Sequence, residues 1–564
     1  MGDNNRNFDV IVIGSGISGG WAAKEFTEKG LKTLVLERGK DVKHIKDYPT
    51  TNMMPWEFEH RGEIPHEIQK ENPVVSRCYA FREDAMHFMV KDTEHPYVQE
   101  KPFDWIRGYQ VGGKSLLWAR QTQRWSAYDF EGPARDGFAV DWPIRYNDLA
   151  PWYSYTEKFA GISGNKDGLD ILPDGDFLPP LELSCVENYF KDVVAKNYPG
   201  RHVIYSRCAH LTKPNQIHLD QGRAQCQKRN ICQRGCPFGG YFSSNASTIP
   251  WAEKTGNMTL MTDSVVQSMI YDDKKGKATG VRVINAKTNA VTEYFARVIF
   301  VNAAALNTNL ILLNSTSSRF PNGLGNDNGL LGKFVAFHNY RARISAMYDG
   351  FKDSTTDGRS HTSAYLPRFR NVKKQETDFL RGYAAGFSGG RYNQTNYDGF
   401  GEGLKNNIDK PELGPWRVGS HMMGETIPKE TNMVSLDPVL KDAWNMPLLK
   451  VNIDYDDNDE KMVKDYLEQM TEMFTRAGFT DIKTNDSKQA PGLDIHEMGG
   501  ARMGHDPKTS ILNKWNQVHA CKNVFVTDGA CMTSTSTQNP SLTYMALTAR
   551  AADYAMAQMK KGEL

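Results

Sequence analysis

The apolar run from Phe8 to Ile13 is short and dense in β-branched residues, the pattern of a strand covered on both faces. Glycines follow at once, and from Gly19 to Lys29 the apolar positions take a helical spacing that Gly30 ends. Lys32 to Glu37 then reads as a second strand, so the chain begins with a βαβ unit. Residues 40–100 are aromatic-rich and weakly periodic, which predicts irregular backbone. Between Met258 and Ala304, strand-like runs alternate with turns at Asp272 to Gly276 and Lys287 to Asn289. Asp456 to Arg476 has an acidic first turn and a stripe of Met462, Tyr466, Met470 and Phe474, predicting a helix whose stripe is core. Residues 524–558 run strand, polar turn, helix. No repeat, low-complexity tract or Ser/Pro linker marks a boundary, so domains assembled from discontinuous segments are expected.

Length and charge act mainly by exclusion. A chain of 564 residues has room for two or more domains. Its 68 Lys+Arg against 67 Asp+Glu leave a net charge of +1, which speaks against nucleic acid as a partner. No stretch reaches the ~18–20 apolar residues of a membrane helix. The polar start, Met1 to Asp9, carries no secretory-signal pattern.

Four constellations carry candidate chemistry. In Gly14-Ser15-Gly16-Ile17-Ser18-Gly19 the glycines permit a tight turn and let backbone approach a pyrophosphate at a helix N-terminus. Glu37 lies 21 residues after Gly16, where a ribose-binding acid is expected, so this unit predicts dinucleotide binding. The motif does not separate FAD from NAD, although Glu37-Arg38-Gly39 leans towards FAD. Next is Arg107-Gly108-Tyr109-Gln110-Val111-Gly112-Gly113-Lys114-Ser115, whose paired glycines suit either a ring or phosphate cradle or a plain surface loop. Third is His496-Glu497-Met498-Gly499-Gly500, followed by Asp528-Gly529 and Asn539-Pro540. A histidine among small neighbours suits general-base work, and Asn539 offers both a donor and an acceptor. A histidine bonded to backbone is the competing reading of His496.

The fourth is Cys226, Cys232 and Cys236, three of eight cysteines, spaced Cys-x5-Cys-x3-Cys among glycines. Thiolates bind soft metals, and such a loop can wrap a cluster, with Lys228, Arg229 and Arg234 offsetting its charge. Zinc completed by His210, His218 or Cys208, a disulfide with one free thiol, and three idle thiols remain alternatives.

In this combination and order, the glycine fingerprint with Glu37, the Val-Gly-Gly-Lys-Ser-Leu-Leu-Trp run, the His-x-x-Gly-x-x-x-Met-Gly element and the Asn-Pro-Ser-Leu-Thr close resemble the glucose–methanol–choline (GMC) flavin oxidoreductases. Within that family the chain is most similar to pyranose oxidases and bacterial glucoside 3-dehydrogenases. The resemblance implies an α/β fold: a Rossmann-like FAD-binding domain from residues 1–45, 100–175, 226–340 and 490–564. It also implies an α+β substrate domain, on a mostly antiparallel sheet, from residues 46–99, 176–225 and 341–489. By the same resemblance His496 is the catalytic base and Asn539 its partner. FAD contacts are implied at Arg107, Gly112, Gly113, Ser115, Asp528, Gly529 and Pro540, with adenine near Val265 or Val266. Glu425 falls where relatives place substrate-facing residues, the alternative being an exposed acid before a turn. Leu117 stands where several pyranose oxidases carry a flavin-linked histidine, which implies non-covalent FAD. Ala119, two positions on, departs from a threonine of those oxidases. The cysteine spacing resembles that of dehydrogenases holding a [3Fe-4S] cluster. Such relatives pass electrons to a haem protein of cytochrome c type and leave the cell interior with a small companion subunit carrying the export signal. The expectation is therefore a periplasmic dehydrogenase acting on a secondary hydroxyl of a sugar or glycoside, at C3 of glucosides. The alternatives are a cytoplasmic protein, an oxygen-using oxidase with structural cysteines, and a non-catalytic flavin carrier subunit.

Overall fold

A computed structural model describes residues 6–355, 364–394, 397–409 and 412–564. The N-terminal βαβ unit forms as the pattern predicts: strand Asn7–Ile13, helix Ile17–Glu28 and strand Thr33–Leu36. Val10, Ile11 and Val12 are completely buried, as a strand with layers on both faces must be. The first strand pairs in parallel with Thr33–Leu36 on one side and Val291–Val301 on the other. Met258–Met261 and Cys521–Val526 extend the parallel sheet outwards, and the antiparallel hairpin Ser264–Asp272 and Lys277–Asn285 joins through Val291–Val301. Helices Ile17–Glu28 and Ser541–Lys561 pack together. They share an apolar layer of Ala22, Phe26, Ala552 and Ala555 with the sheet residues Val10 and Phe300.

A second, antiparallel sheet runs in the order Ala364–Leu366, Tyr383–Gly390, Trp416–Glu425, Ala342–Tyr348, Thr480–Asp486, with His338–Asn339 paired at one end. Helix Asp457–Arg476 covers it, capped where the Asp456 carboxylate accepts the Asp459 N–H at 3.3 Å. Met462, Tyr466, Met470 and Phe474 are all fully buried in this layer, so the stripe is core. Burying each such side chain contributes roughly 1.5–3 kcal/mol.

A third sheet takes strands from both sets of segments: Met498–Gly500, Lys333–Ala336, Met433–Lys441, Pro447–Asn452 and Val98–Gln99. It ties the two larger sheets together and carries the chain into the His496 region. Among the described residues, no helix is long and apolar enough to cross a membrane.

Candidate active site

Where parallel strands end, their outgoing backbone groups and loops face one edge, the place where open α/β sheets bind ligands. Here Gly14 follows the first strand, Glu37 the second, Asn302 the third and Asp528 the last, and all four line one cavity of about 590 Å³. Helices starting at Ile17, Ala305 and Ser541 begin beside it. Of the residues expected at a cofactor, Gly14, Gly16, Ile17, Ser18, Glu37, Arg38, Arg107, Gly113, Ser115, Val265, Val266, Asp528, Gly529 and Pro540 line this cavity, as do His496 and Asn539.

Two expected glycines shape the loops from behind. A Cβ on Gly19 would stand 2.0 Å from the Gly14 carbonyl oxygen, so glycine lets the helix close on the turn. Gly112 has φ +85° and a Cβ there would strike the Asn245 amide, while its N–H donates to Ser15 Oγ at 3.0 Å. The Glu37 carboxylate is buried and accepts the Ser15 N–H at 3.2 Å and the Gly39 N–H at 2.9 Å. Burial pushes its pKa up against those hydrogen bonds. Around the cavity, buried polar atoms lack protein partners: Arg38 Nε, Arg107 Nε, Asn302 Nδ2, Asp494 Oδ1 and Glu497 Oε1. Groups left so are costly unless a ligand meets them, and a dinucleotide carries the ring edges, hydroxyls and phosphates to do it.

At the inner end stands a hydrogen-bonded chain. Asn539 Nδ2 lies 3.1 Å from His496 Nε2, His496 Nδ1 lies 2.9 Å from His338 Nδ1, and His338 Nε2 lies 2.5 Å from the Ser536 carbonyl oxygen. A carbonyl only accepts, so His338 carries its proton on Nε2. Burial pushes His338 down to about 4, so it is neutral and its Nδ1 is bare. His496 must therefore donate from Nδ1, which leaves its Nε2 lone pair on the side of Asn539. Burial, then His338 and Lys114, hold the His496 pKa well below the ordinary histidine value. Behind the pair, Asp494 accepts the His338 backbone N–H at 2.9 Å and is pushed up to about 7, chiefly by burial. These three residues bring ligand atoms within 4.8 Å of one another, and the two Nδ1 atoms meet at 2.9 Å, the distance of a hydrogen bond between the rings.

Sequence reasoning missed His338. It sits in a two-residue strand after the apolar run Phe334 to Phe337, where a lone histidine gives no local sign of a partner 158 residues away. It also missed Tyr340, Tyr365, His421 and Met423, which form the wall from the antiparallel sheet. Alternation along Trp416–Glu425 was the available signal: Val418 and Met422 enter the core while His421 and Met423 face the cavity.

Glu425 is a correction. It is neither substrate-facing nor exposed: the side chain is fully buried, held by Arg368 Nη2 at 2.7 Å and Arg381 Nε at 2.9 Å. The strand end lies beneath both arginines, which occupy the carboxylate completely.

Family models described as GMC oxidoreductase match residues 97–333 and 428–548. The chain is a GMC oxidoreductase. It is 29% identical to 2-methyl-1,2-propanediol dehydrogenase of Mycolicibacterium austroafricanum, over 97% of this chain and 94% of the relative. It is 25% identical to the fructose dehydrogenase large subunit of Gluconobacter japonicus, over the full length of both. The structure of pyridoxine 4-oxidase from Mesorbium loti shares the fold, with a TM-score of 0.60 at 15% identity, covering 97% of this chain and 99% of the other. The GMC enzyme is thus an oxidoreductase acting on CH–OH donors, and the family implies FAD, which the cavity fits.

The cysteine loop of this oxidoreductase forms a separate small pocket. Cys226, Cys232 and Cys236 line it together with His210, Gly235, Gly240 and Tyr241. None of the eight cysteines is in a disulfide. The Gly240 N–H donates to Cys236 Sγ at 3.4 Å, and Cys226 Sγ lies 3.7 Å from His210 Nδ1. Among the described residues these thiols and His210 do not supply three ligand atoms within 4.8 Å of one another. That is wider than a zinc tetrahedron, whose ~2.3 Å Zn–S bonds put sulfurs about 3.8 Å apart. Burial raises Cys226 to about 11, with the neighbouring thiols adding to it. Of the charges expected beside the cysteines, Lys228 and Arg229 line the same pocket, Arg229 bonding the Thr51 carbonyl and lying within electrostatic reach of Cys232, while Arg234 is taken by Asp84 at 2.8 Å.

Proposed function

We propose that this GMC enzyme is a dehydrogenase that oxidises a secondary hydroxyl of a sugar or glycoside, C3 of a glucoside being the first candidate. The observation that carries the reading is the hydrogen-bonded chain from the Ser536 carbonyl through His338 and His496 to Asn539. When bound, FAD supplies the hydride acceptor. The chain's own residues handle the proton: the substrate hydroxyl replaces part of the Asn539–His496 contact and donates to bare Nε2, while the Asn539 amide steadies its oxygen. Removal of that proton as the carbon loses hydride balances the step, giving a ketone and a protonated His496. Positioning of this kind supplies much of such a rate gain, and general-base help contributes ~10²–10⁴-fold. The wall of Tyr340, Tyr365 and His421 offers hydrogen-bonding groups suited to a polyhydroxylated substrate. Leu117 lines the cavity with an alkyl group that cannot bond to a flavin, which supports non-covalent FAD.

The same reading gives Cys226, Cys232 and Cys236 to a [3Fe-4S] cluster, which supplies one-electron transfer when bound. The donor set suits it: three undisulfided thiols on one pocket, one already accepting a backbone N–H, spaced too widely for zinc. The relative named as a large subunit supports a smaller companion subunit, and the resemblance of the cysteine spacing adds a haem acceptor of cytochrome c type. Co-export with that companion would make the protein periplasmic. The decisive test is anaerobic mixing with glucosides, free sugars and small diols while following flavin absorbance, with iron and low-temperature electron paramagnetic resonance on the same sample. Bleaching by a glucoside together with a three-iron signal supports the reading. Bleaching by diols alone overturns the substrate class. Turnover in air without iron makes it an oxygen-using oxidase, and no bleaching by any alcohol makes it a flavin carrier.

A further inference from the structure

Two arginines stand behind the lining of the cysteine pocket, Arg120 against Tyr241 and Arg223 against Gly239, and neither meets a carboxylate. Arg120 is completely buried, its Nη1 donates to the Trp118 carbonyl at 2.6 Å, and its Nε and Nη2 have no protein partner. Its guanidinium lies over Tyr241, which lines the cysteine pocket, and within electrostatic reach of Cys232. Arg223 is 1% exposed, donates to the Gly239 carbonyl at 2.9 Å and the Ala160 carbonyl at 2.8 Å, and leaves Nη2 unpartnered. It lies within electrostatic reach of Cys236. Among the described residues neither arginine forms an ion pair, unlike Arg207 and Arg381, which are as deeply buried; the slightly less buried Arg502 and Arg550 also lack one. A buried guanidinium without an anion is strongly disfavoured.

We infer that Arg120 and Arg223 are the counter-charges of an anionic metal–thiolate group held by Cys226, Cys232 and Cys236. The inference rests on the cluster reading above and deepens it. An oxidised three-iron, four-sulfide core is singly positive, so with three thiolates the group carries two negative charges, which the two buried guanidiniums match, while the less buried Lys228 and Arg229 line the pocket. Unmet N–H groups on the arginines would hydrogen-bond to sulfur, which together with the charge raises the reduction potential. Arg120 also lines the flavin cavity, as does Gln233 from the cysteine loop, so this counter-charge stands in the wall between the two sites.

The test uses the full-length protein and the variants R120Q, R223Q, R120K and R223K, with iron per protein, FAD per protein and a resonance-monitored redox titration as readouts. The glutamine variants are compared at equal FAD occupancy, which R223Q, outside the flavin cavity, is expected to retain in full. They should lose at least half the iron, or hold a cluster at least tenfold harder to reduce, about 59 mV more negative for one electron. The lysine variants should keep iron and potential close to the parent. If lysine variants lose iron as fully as glutamine ones, loop geometry matters and charge does not, and the inference fails. Clusters of unchanged potential and occupancy in both glutamine variants overturn it as well. A parent protein without iron instead overturns the cluster reading itself, so the two failures are distinguishable.

Discussion

The histidine end of the large cavity and the cysteine pocket are both buried, polar and rich in titratable groups, yet they are finished to different degrees. At the histidine end every hydrogen-bonding atom of the two imidazoles has a protein partner, and the chain terminates on a backbone carbonyl. In the cysteine pocket two guanidiniums are buried with donors unmet and three thiols stand too far apart to satisfy one another. A site complete in itself sets the protonation state of its own side chains. A site with surplus charge is built around something the chain does not contain. The difference separates the part of the oxidoreductase that handles protons from the part that the proposal assigns to electrons.

The comparison breaks most sharply at His496. H496A should retain FAD and slow substrate reduction of the flavin by ~10²–10⁴-fold, measured by stopped flow; an unchanged rate would remove His496 as base. At the other site, C232S should bind little iron and lose transfer to a large acceptor, while flavin reduction stays within about twofold, since general-base chemistry lies elsewhere. A finer test is H338A. Freed from its Nδ1 partner, His496 can take the other tautomer, and kcat should fall about 10–100-fold with KM nearly constant, less than the loss of the base itself. Loss through KM alone would make His338 merely structural. The pH profile sharpens the same point. Protonation of His496 stops catalysis, and its pKa is depressed, so kcat/KM should stay level as pH falls through the ordinary histidine value of 6.5 and drop only below it. An acid limb centred at 6.5 or above contradicts the buried, hydrogen-bonded chain. Smallest for activity is E425Q, which leaves Arg368 and Arg381 short of an anion. Because Arg368 keeps Asp129 and Arg381 keeps Asp136, it should cost about 1–3 kcal/mol of stability in a denaturant titration while the folded fraction keeps its KM.

How far the sequence could be read follows the range of the interactions. The βαβ unit, the core stripe of Asp457–Arg476 and the strand–turn–helix close are local patterns of burial, visible as periods of two or 3.6 residues. The glycine fingerprint was legible because close approach of a helix to a turn forbids a Cβ at Gly19 whatever the rest of the chain does. His496 and Asn539 were readable from the resemblance their neighbours carry, and both line the cavity. Glu425 was misread because a strand pattern gives a side chain's face but not what covers it. Two arginines from residues 368 and 381 decide that. Of the charges adjacent to the cysteines in sequence, Lys228 and Arg229 do line the pocket, whereas Arg234 is turned to Asp84.

By itself, then, the order of residues determined the α/β class, the glycine turn, the histidine and asparagine proposed as base and partner, and three thiols at a spacing that can surround a metal group. These depend on contacts within a few turns of chain or on a resemblance carried by short motifs. Only the tertiary structure decided that His338 meets His496, that Glu425 is consumed by an ion pair, and that Arg120 comes within electrostatic reach of Cys232. Each of those brings together residues tens to hundreds of positions apart. Distance along a chain carries no record of which side chains burial will force to share their charge.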